Sequence, residues 1–506
     1  MYVKPLNIFI NRLNAVSSAY ILPLLFLNAC TVGPDYIKPS TKIPDTFKED
    51  KVWKQAQPLD EILPNDWWQL FKDPQLSTLE AQVNKANLSI AQAEAQYKIS
   101  QSLVQTATSA YFPTATGTAT TNRFKAATGQ SVAVSGVRNL FGGVVSLAWA
   151  PDIVGGLRRQ VESSTANAQA TSANLQALRL TMQTTLADNY FQIRTLDAQI
   201  KLFNDTVITY EKALQITKNR YEAGIASKID VVQAETQLED TRAQAINLGI
   251  KRSQLEHAIA VLIGKTPTEF NLAPTTLTLE IPSIPTLLPS QLLERRPDIA
   301  AAERNVAAAN AQIGVAKAAY YPNLNLAASN GQQATLLTNL VTQGARYWAL
   351  GPAALAIPLF DGGARSAALQ QAIDTYDANA AGYRQIVLTS FQQVEDNLAA
   401  LRMLESEIQV QNKAVQSAHK ALELTNNQYK AGTLSYLDVV INQATALNND
   451  INVVNLQGQR LSAAVLLVKA LGGGWTIKDL PTKDQAGGEI KWSQFLPVPL
   501  SVRNRD

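Results

Sequence analysis

One cysteine, two histidines and three methionines are all that 506 residues contain of these types, and only 17% of the chain is charged. A single cysteine closes no intrachain disulfide, and His257 and His419 stand alone, so the sequence offers neither a His/Cys metal cage nor a histidine-based catalytic group. Beyond Met1 only Met182 and Met403 occur, too few for a thioether path that passes soft copper or silver ions. A glycine-rich phosphate loop, a His-Glu-x-x-His helix and a Gly-x-Ser-x-Gly elbow are also missing, which leaves an enzyme without its parts and predicts no cofactor and no metal. Glycine (25) and proline (22) are sparse. With so little charge, this argues for one long, helix-rich architecture over three separate domains. The formal charge of +3 falls to +1 from residue 30 onward, because Lys4 and Arg12 are the only ionised side chains before it, so no broad nucleic-acid surface is expected. A content of 46% hydrophobic residues excludes disorder.

What is present begins with a leader. Lys4 and Arg12 precede an apolar run over residues 21–27, followed by Asn28-Ala29-Cys30. The run is shorter than the roughly 20 residues a spanning helix needs, and Pro23 interrupts it, so residues 1–29 read as a cleaved signal peptide. Leu27-Asn28-Ala29-Cys30 resembles a bacterial lipobox. That resemblance implies a covalent lipid on Cys30, and Thr31 after it, in place of Asp, points to the outer membrane. Three acyl chains at about 0.8 kcal/mol per buried methylene anchor stably.

The remainder is written twice, at an offset of about 208 residues. Tyr111-Phe112-Pro113 returns as Tyr320-Tyr321-Pro322, and Pro151, Gly155, Gly156 and Arg158 return as Pro358, Gly362, Gly363 and Arg365. Tyr221, Ala223, Gly224, Ser227, Asp230, Val231 and Val232 recur as Tyr429, Ala431, Gly432, Ser435, Asp438, Val439 and Val440. Each copy has the grammar helix, two strands, helix, turn, helix. The first helix runs to about Ala110 in one copy and Ala319 in the other, each stopped by an aromatic pair before proline. Leu175, Leu178, Met182, Leu186, Ile193, Leu196 and Ile200 form a helical packing stripe. Ile373, Tyr376, Ala380, Tyr383, Val387, Val394, Leu398 and Leu401 keep nearly a heptad. From Leu157 to Tyr221 such a helix would reach on the order of 95 Å, too long for a compact core and suited to a tube or bundle with one wetted face.

Between the helices lie segments that alternate with period two. Thr114, Thr116, Thr118 and Thr120 oppose Ala115, Gly117 and Ala119; Val145, Leu147 and Trp149 oppose Ser146, Ala148 and Ala150; Leu324 and Leu326 oppose Asn323 and Asn325. A fourth segment, residues 347–360, places Ala353, Leu355, Ile357 and Leu359 on one face, with Pro352 and Pro358 interrupting it. A soluble β-hairpin competes with membrane strands here. If the segments do cross a bilayer, about 9 to 11 residues suffice for each tilted strand, but four strands cannot close a barrel whose smallest form has about eight. Several chains would then have to pool them.

The chain resembles the outer-membrane efflux proteins, the TolC-like channels, in the lipoprotein branch that serves resistance-nodulation-division pumps. The residues that carry this are Cys30-Thr31-Val32-Gly33-Pro34-Asp35-Tyr36 with Pro39, Trp67-Trp68 with Phe71 and Asp73, Arg295-Arg296-Pro297-Asp298-Ile299 with Ala302-Glu303, and Pro358-Leu359-Phe360-Asp361-Gly362-Gly363. The resemblance implies a mainly α chain with four transmembrane strands that closes in a homotrimer as a 12-strand β-barrel above a 12-helix periplasmic tunnel. It further implies a periplasmic adaptor, an inner-membrane pump and outer-membrane lipid as partners, with no nucleic acid. The expected divisions are a signal at 1–29, a lipidated segment at 30–75, repeats at 76–265 and 291–473, an equatorial linker at 266–290 and a C-terminal equatorial segment at 474–506.

Function is expected at the two helix turns that the resemblance places at the periplasmic tip. Arg220, Tyr221, Gly224, Ser227, Tyr429, Gly432 and Ser435 are candidate adaptor-docking residues, and Leu437 matches a constricting apolar ring. Ile441-Asn442-Gln443-Ala444 stands where many members carry Asp-Ala-Gln-Arg, so a carboxylate ring and arginine lock are absent and Asp230 and Asp438 become the candidate gating acids. From the residues alone, each turn also reads simply as a glycine-terminated helix followed by an Asp-capped one. The expected function is passive outer-membrane exit of drugs, dyes or solvents. Type I protein secretion, a secreted helical structural protein and, least of all, a periplasmic enzyme are the alternatives.

Overall fold

The computed structural model describes residues 31–44, 46–49, 65–125, 137–275 and 289–488. The leader, Cys30 and residues 489–506 lie outside them. Helices α1 (Pro74–Ala86) and α2 (Leu88–Ser109) lead into strands β1 (Thr114–Lys125) and β2 (Val137–Trp149), then α3 (Gly156–Glu222) and α4 (Lys228–Leu262). The second copy repeats this with α5 (Pro289–Arg295), α6 (Pro297–Ala318), β3 (Asn323–Ala334), β4 (Arg346–Ala356), α7 (Ala364–Lys430) and α8 (Tyr436–Ala470), before a short α9 (Lys483–Ala486). The duplication is carried into lengths: α3 and α7 are both 67 residues and α4 and α8 both 35. At 1.5 Å per residue the long pair reaches about 100 Å. No helix among the described residues is long and apolar enough to cross a membrane.

The single helix expected before β1 is two. Asn87 leaves helical geometry, its side chain accepts from the Ile90 N–H at 3.1 Å to cap α2, and its amide donates to the Leu262 carbonyl at 2.8 Å on α4. The gain of a cap and a long-range bond outweighs one more turn of continuous helix. The second copy breaks similarly before Pro297, which takes the first helical position of α6.

The long helices pack side by side. Near the strands α3 lies between α2 and α6, and α7 lies beyond α6; away from the strands α3 lies between α4 and α8, with α7 beyond α8. One edge of this layer is therefore α2 and α4, the other α7. Alanine lets the axes close up: Ala166 and Ala173 of α3 meet Ala300, Ala301, Ala307 and Ala308 of α6 in small buried clusters. The main apolar core sits at mid-height, where Trp67, Phe71, Leu76, Tyr190, Phe191 and Leu461 are buried together and the Phe71 and Phe191 rings stand 4.9 Å apart. Leu186, Ile193, Leu196, Val387, Val394 and Leu398 from the two stripes are buried, while Leu178, Ile200, Ile373 and Tyr376 are half-buried.

The strands form one antiparallel sheet in the order β1-β2-β3-β4. Its register resolves two faces. Ala115 pairs with Leu147 and Gly117 with Val145; Val145 in turn pairs with Asn330, Leu147 with Ala328 and Trp149 with Leu326, so these residues share a face. On β4 an irregularity between Leu326 and Ala328 shifts the pairing, and Trp348, Leu350, Ala353 and Leu355 all join that same face. It is apolar yet uncovered, with Trp348 71% and Leu350 80% exposed. The opposite face carries Thr114, Thr116, Thr118, Thr120, Ser146, Asn325 and Ser329. The fourth strand thus differs from its expected extent: it starts at Arg346, ends at Ala356 and contains Pro352, leaving Ile357, Pro358 and Leu359 outside.

A buried ionic cluster holds the mid-height region. Asp197 accepts from Arg194 at 2.9 Å and from Arg252 at 2.6 Å, and the side chains of Arg194 and Asp197 are each only 3% exposed. Arg194 also donates to Gln75 of α1 and to the Ala273 carbonyl, while Glu256 pairs with Arg252 and accepts from the Leu272 N–H. Three chain segments meet at this carboxylate, and Gln75 brings in a fourth through Arg194. Asp197→Ala strands two guanidinium groups, and breaking such a pair costs about 3–5 kcal/mol. The expected result is a clear drop in Tm of the detergent-solubilised protein; a melting curve superimposed on wild type would remove the cluster from the supports of the fold.

Candidate functional site: the paired helix turns

Both turns are built by the same local chemistry. Gly224 and Gly432 take left-handed conformations at φ 72° and 78°, and the following N–H groups fold back, Ile225 to the Arg220 carbonyl at 2.8 Å and Thr433 to the Gln428 carbonyl at 3.0 Å. A side chain is strained at either glycine. Ser227 and Ser435 then start α4 and α8 with capping boxes. The Asp230 carboxylate accepts from the Ser227 N–H at 3.1 Å and that of Asp438 from the Ser435 N–H at 3.1 Å. The two candidate gating acids therefore hold their own turns.

The turns are also joined to each other. The Arg220 guanidinium stands 4.7 Å over the Tyr429 ring, and Tyr429 meets Tyr436 edge-on at 5.3 Å. Ala234, Tyr436 and Val439 are buried there, with Leu214, Tyr429 and Val440 against them. Burial pushes the Tyr436 hydroxyl up to about 12, with its hydrogen bond to Thr217 opposing. It stays neutral at physiological pH, so the contact keeps one charge, that of Arg220. The Tyr429 hydroxyl and Arg220 Nε are buried without a hydrogen-bond partner among the described residues. Each such atom costs about 1–3 kcal/mol, which leaves the contact poised rather than rigid.

Of the expected site residues, Arg220 and Tyr429 come together in this cluster. Tyr221, Gly224, Ser227, Gly432 and Ser435 lie exposed around it. Leu437 is 49% exposed and forms with Ile441, one turn further along α8, an uncovered apolar stripe. Sequence reasoning missed Tyr436 and Lys228. These occupy equivalent positions in the two copies, and each approaches its own copy's conserved-position tyrosine: Lys228 stands 5.8 Å from the Tyr221 ring where Tyr436 packs on Tyr429. The signal was present as a place where the repeats diverge.

Comparison with known proteins agrees with this architecture. The profile of the outer membrane efflux protein family matches residues 79–265 and 288–473. The chain is 29% identical over 474 residues to the toluene efflux pump outer membrane protein TtgC of Pseudomonas putida, covering 92% of this chain and 96% of that protein. It is 28% identical over 463 residues to the solvent efflux pump outer membrane protein SrpC of the same species, covering 90% and 97%. Among solved structures, the outer-membrane channel OprN superimposes with a TM-score of 0.83 at 27% identity, over 88% of this chain and all of that one. The fold is that of the outer-membrane channel OprN, with two family repeats and four antiparallel strands. The chain belongs to the outer membrane efflux protein family, whose members transport and do not catalyse.

Proposed function

We propose that three copies of this chain form the outer-membrane exit duct of a tripartite efflux system, conducting small organic molecules passively from an inner-membrane pump and periplasmic adaptor to the outside. The observation that carries this is the sheet, open at β1 and β4, with an uncovered apolar face and a polar face. In lipid such edges must be paired, and three copies bring twelve strands, above the minimum of about eight. The helical layer is open on two sides as well: its α2 edge leads by chain into β1, and β4 leads into its α7 edge. Exposed Leu88, Ile99 and Leu103 of α2, Ile246 and Ile250 of α4, and Leu388 and Met403 of α7 supply apolar surface for burial between copies. The toluene and solvent cargo in the names of the relatives supports organic molecules as cargo.

A lipid anchor on Cys30 belongs to the same reading. Its neighbours Thr31 and Val32 lie at the corner where β2 gives way to α3: the Val32 N–H donates to the Val154 carbonyl at 3.0 Å, and Thr31 crowds Gly155. Arg159, almost buried, donates to Asp35 at 2.9 Å and secures the segment. Acyl chains attached there would enter the inner leaflet beside the barrel. At the far end, Arg220, Tyr221, Gly224, Ser227, Tyr429, Gly432 and Ser435 receive the adaptor, and Leu437 narrows the duct. Asp230 and Asp438 set the turns that shape this constriction.

Purified from outer membranes, the wild type is expected to run as a trimer and to give low-conductance channels in planar bilayers; a nonconducting monomer would defeat the duct reading. Cys30→Ala should lose metabolic palmitate label while keeping the trimer, and undiminished label would remove the anchor. Arg220→Ala deletes a cation–π contact of about 0.5–2 kcal/mol, so the open population should rise roughly two- to thirtyfold. Single-channel current indistinguishable from wild type would show that this contact does not hold the duct closed.

A further inference from the structure

The strand-bearing segments contain no acid. No Asp or Glu occurs between Glu94 and Asp152 or between Glu303 and Asp361, and this includes residues 126–136 that join β1 to β2. Yet Arg123, Lys125, Arg138 and Arg346 all fall at the strand ends far from the helices. The register sorts them by face. Arg123 pairs with Asn139, Lys125 with Val137 and Arg346 with Gln332, on the apolar uncovered face; Arg138 pairs with Phe124 on the polar one. All four are exposed, and none joins an ion pair among the described residues. The opposite end of the sheet is different. There Asp152 pairs with Arg158 and Asp361 with Arg365, so the inner rim carries its own counter-charges.

The stagger of the sheet brings the outward cations to one height. From the row Gly117, Val145, Asn330, Trp348, β1 continues outward to Lys125 but β4 only to Arg346; inward, β1 stops at Thr114 while β4 continues to Ala356. Strands tilted by about 45° to the membrane normal produce this offset, and on that tilt Arg346 stands level with Arg123 and Lys125. Closing the barrel sets β4 of one copy against β1 of the next, about 4.8 Å away. Arg346 of one protomer then meets the partner subunit's Arg123 and Lys125 at every seam. Three like charges so placed repel unless an anion lies among them. Below them on the same face are Trp348 and Leu350, which are apolar and exposed.

We propose that each seam binds the phosphate-bearing headgroup of an outer-leaflet lipid, with the cations on the phosphate and the acyl chains along Trp348 and Leu350. This rests on the trimeric barrel proposed above. The ligand must be amphipathic, because the charged cluster and the apolar strip are continuous. An inorganic phosphate would engage only the first of them.

The test measures binding of the detergent-solubilised full-length trimer to lipid A in mixed micelles. Each cation near an anionic surface contributes roughly fivefold in affinity, so Arg123→Gln, Lys125→Gln and Arg346→Gln together should weaken binding about a hundredfold. Arg138→Gln, on the polar face, should leave it unchanged. Wild-type binding should fall with added salt, and millimolar inorganic phosphate should not displace the lipid. Equal affinity in the triple variant, salt-independent binding, an equal loss in Arg138→Gln, or displacement by inorganic phosphate would each overturn the proposal. If the triple variant fails to assemble, the wild-type salt titration and the charge-preserving set Arg123→Lys, Lys125→Arg, Arg346→Lys decide: the latter must retain affinity. A monomeric wild type would sink both the duct and the seam site, whereas a conducting trimer indifferent to lipid A would sink the seam site alone.

Discussion

A backbone N–H or C=O exposed to hydrocarbon has no water to turn to, and this constraint governs the rest of the molecule. The sheet pairs three internal seams and leaves β1 and β4 with open ladders. Closure must come from other copies, and every copy must present matching edges at the same height. The staggered ends of the strands supply that match, because a tilted sheet can repeat around an axis only if one edge is displaced along it relative to the other. The shift on β4 serves the same end. Trp348 and Leu350 have even numbers, Ala353 and Leu355 odd ones, and without one extra residue between them half of this strand would turn its apolar side chains into the polar interior.

The duplicated chain meets a second demand. A tube around an axis needs several near-identical staves, and one gene copy written twice provides two of equal length in α3 with α4 and α7 with α8. Identical staves would also be interchangeable. The copies differ where they touch at the turns: Arg220 stands against Gln428 in the equivalent position, and Lys228 against Tyr436. Those differences create a contact, Arg220 on Tyr429 beside Tyr436, that binds unlike partners to each other. The conserved grammar builds the wall and the divergent residues specify neighbours.

This division explains what was legible in the sequence. Local rules located the helix stops at Tyr111-Phe112-Pro113 and Tyr320-Tyr321-Pro322, the glycine turns at Gly224 and Gly432, and the alternation on β1, since each depends on residues a few positions apart. Asn87 was not legible as a break, because its bond to the Leu262 carbonyl lies 175 residues away. Nor was the ionic cluster of Arg194, Asp197 and Arg252 visible, whose members read as solvated helical charges until α4 brings them beneath the segment at Leu272. Residues 347–360 alternated well enough to be taken for one strand, but alternation cannot reveal an extra residue that moves Trp348 and Leu350 to the outward face. At the turns, Asp230 and Asp438 were visible as acids of the right position, while their commitment to capping Ser227 and Ser435 emerges only from the geometry.

The distribution of charge follows from the same division between wall and rim. Helices α3 and α7 mix alanine with glutamine, asparagine and threonine, because each must pack closely on one side and tolerate water on another. Gln169, Gln183 and Thr184 are buried on α3 by neighbours rather than by an apolar core, and they find partners locally or across a seam, as Gln183 does with Asn84 at 2.8 Å. Such a wall offers polar contacts of modest strength along its length. At mid-height the charges of Arg194, Asp197 and Arg252 are paired with one another in a buried cluster; the two ends of the sheet differ. At the inner rim the Asp361 carboxyl is held below its usual range by Arg365, and the charges there satisfy one another. At the outer rim cations stand without acids, so the field at that end is completed by what lies outside the chain. Charge in this chain thus serves two ends: paired within the helices, as at Asp197, it fixes neighbours, and left without acids at the outer strand ends, as at Arg123, Lys125 and Arg346, it faces outward.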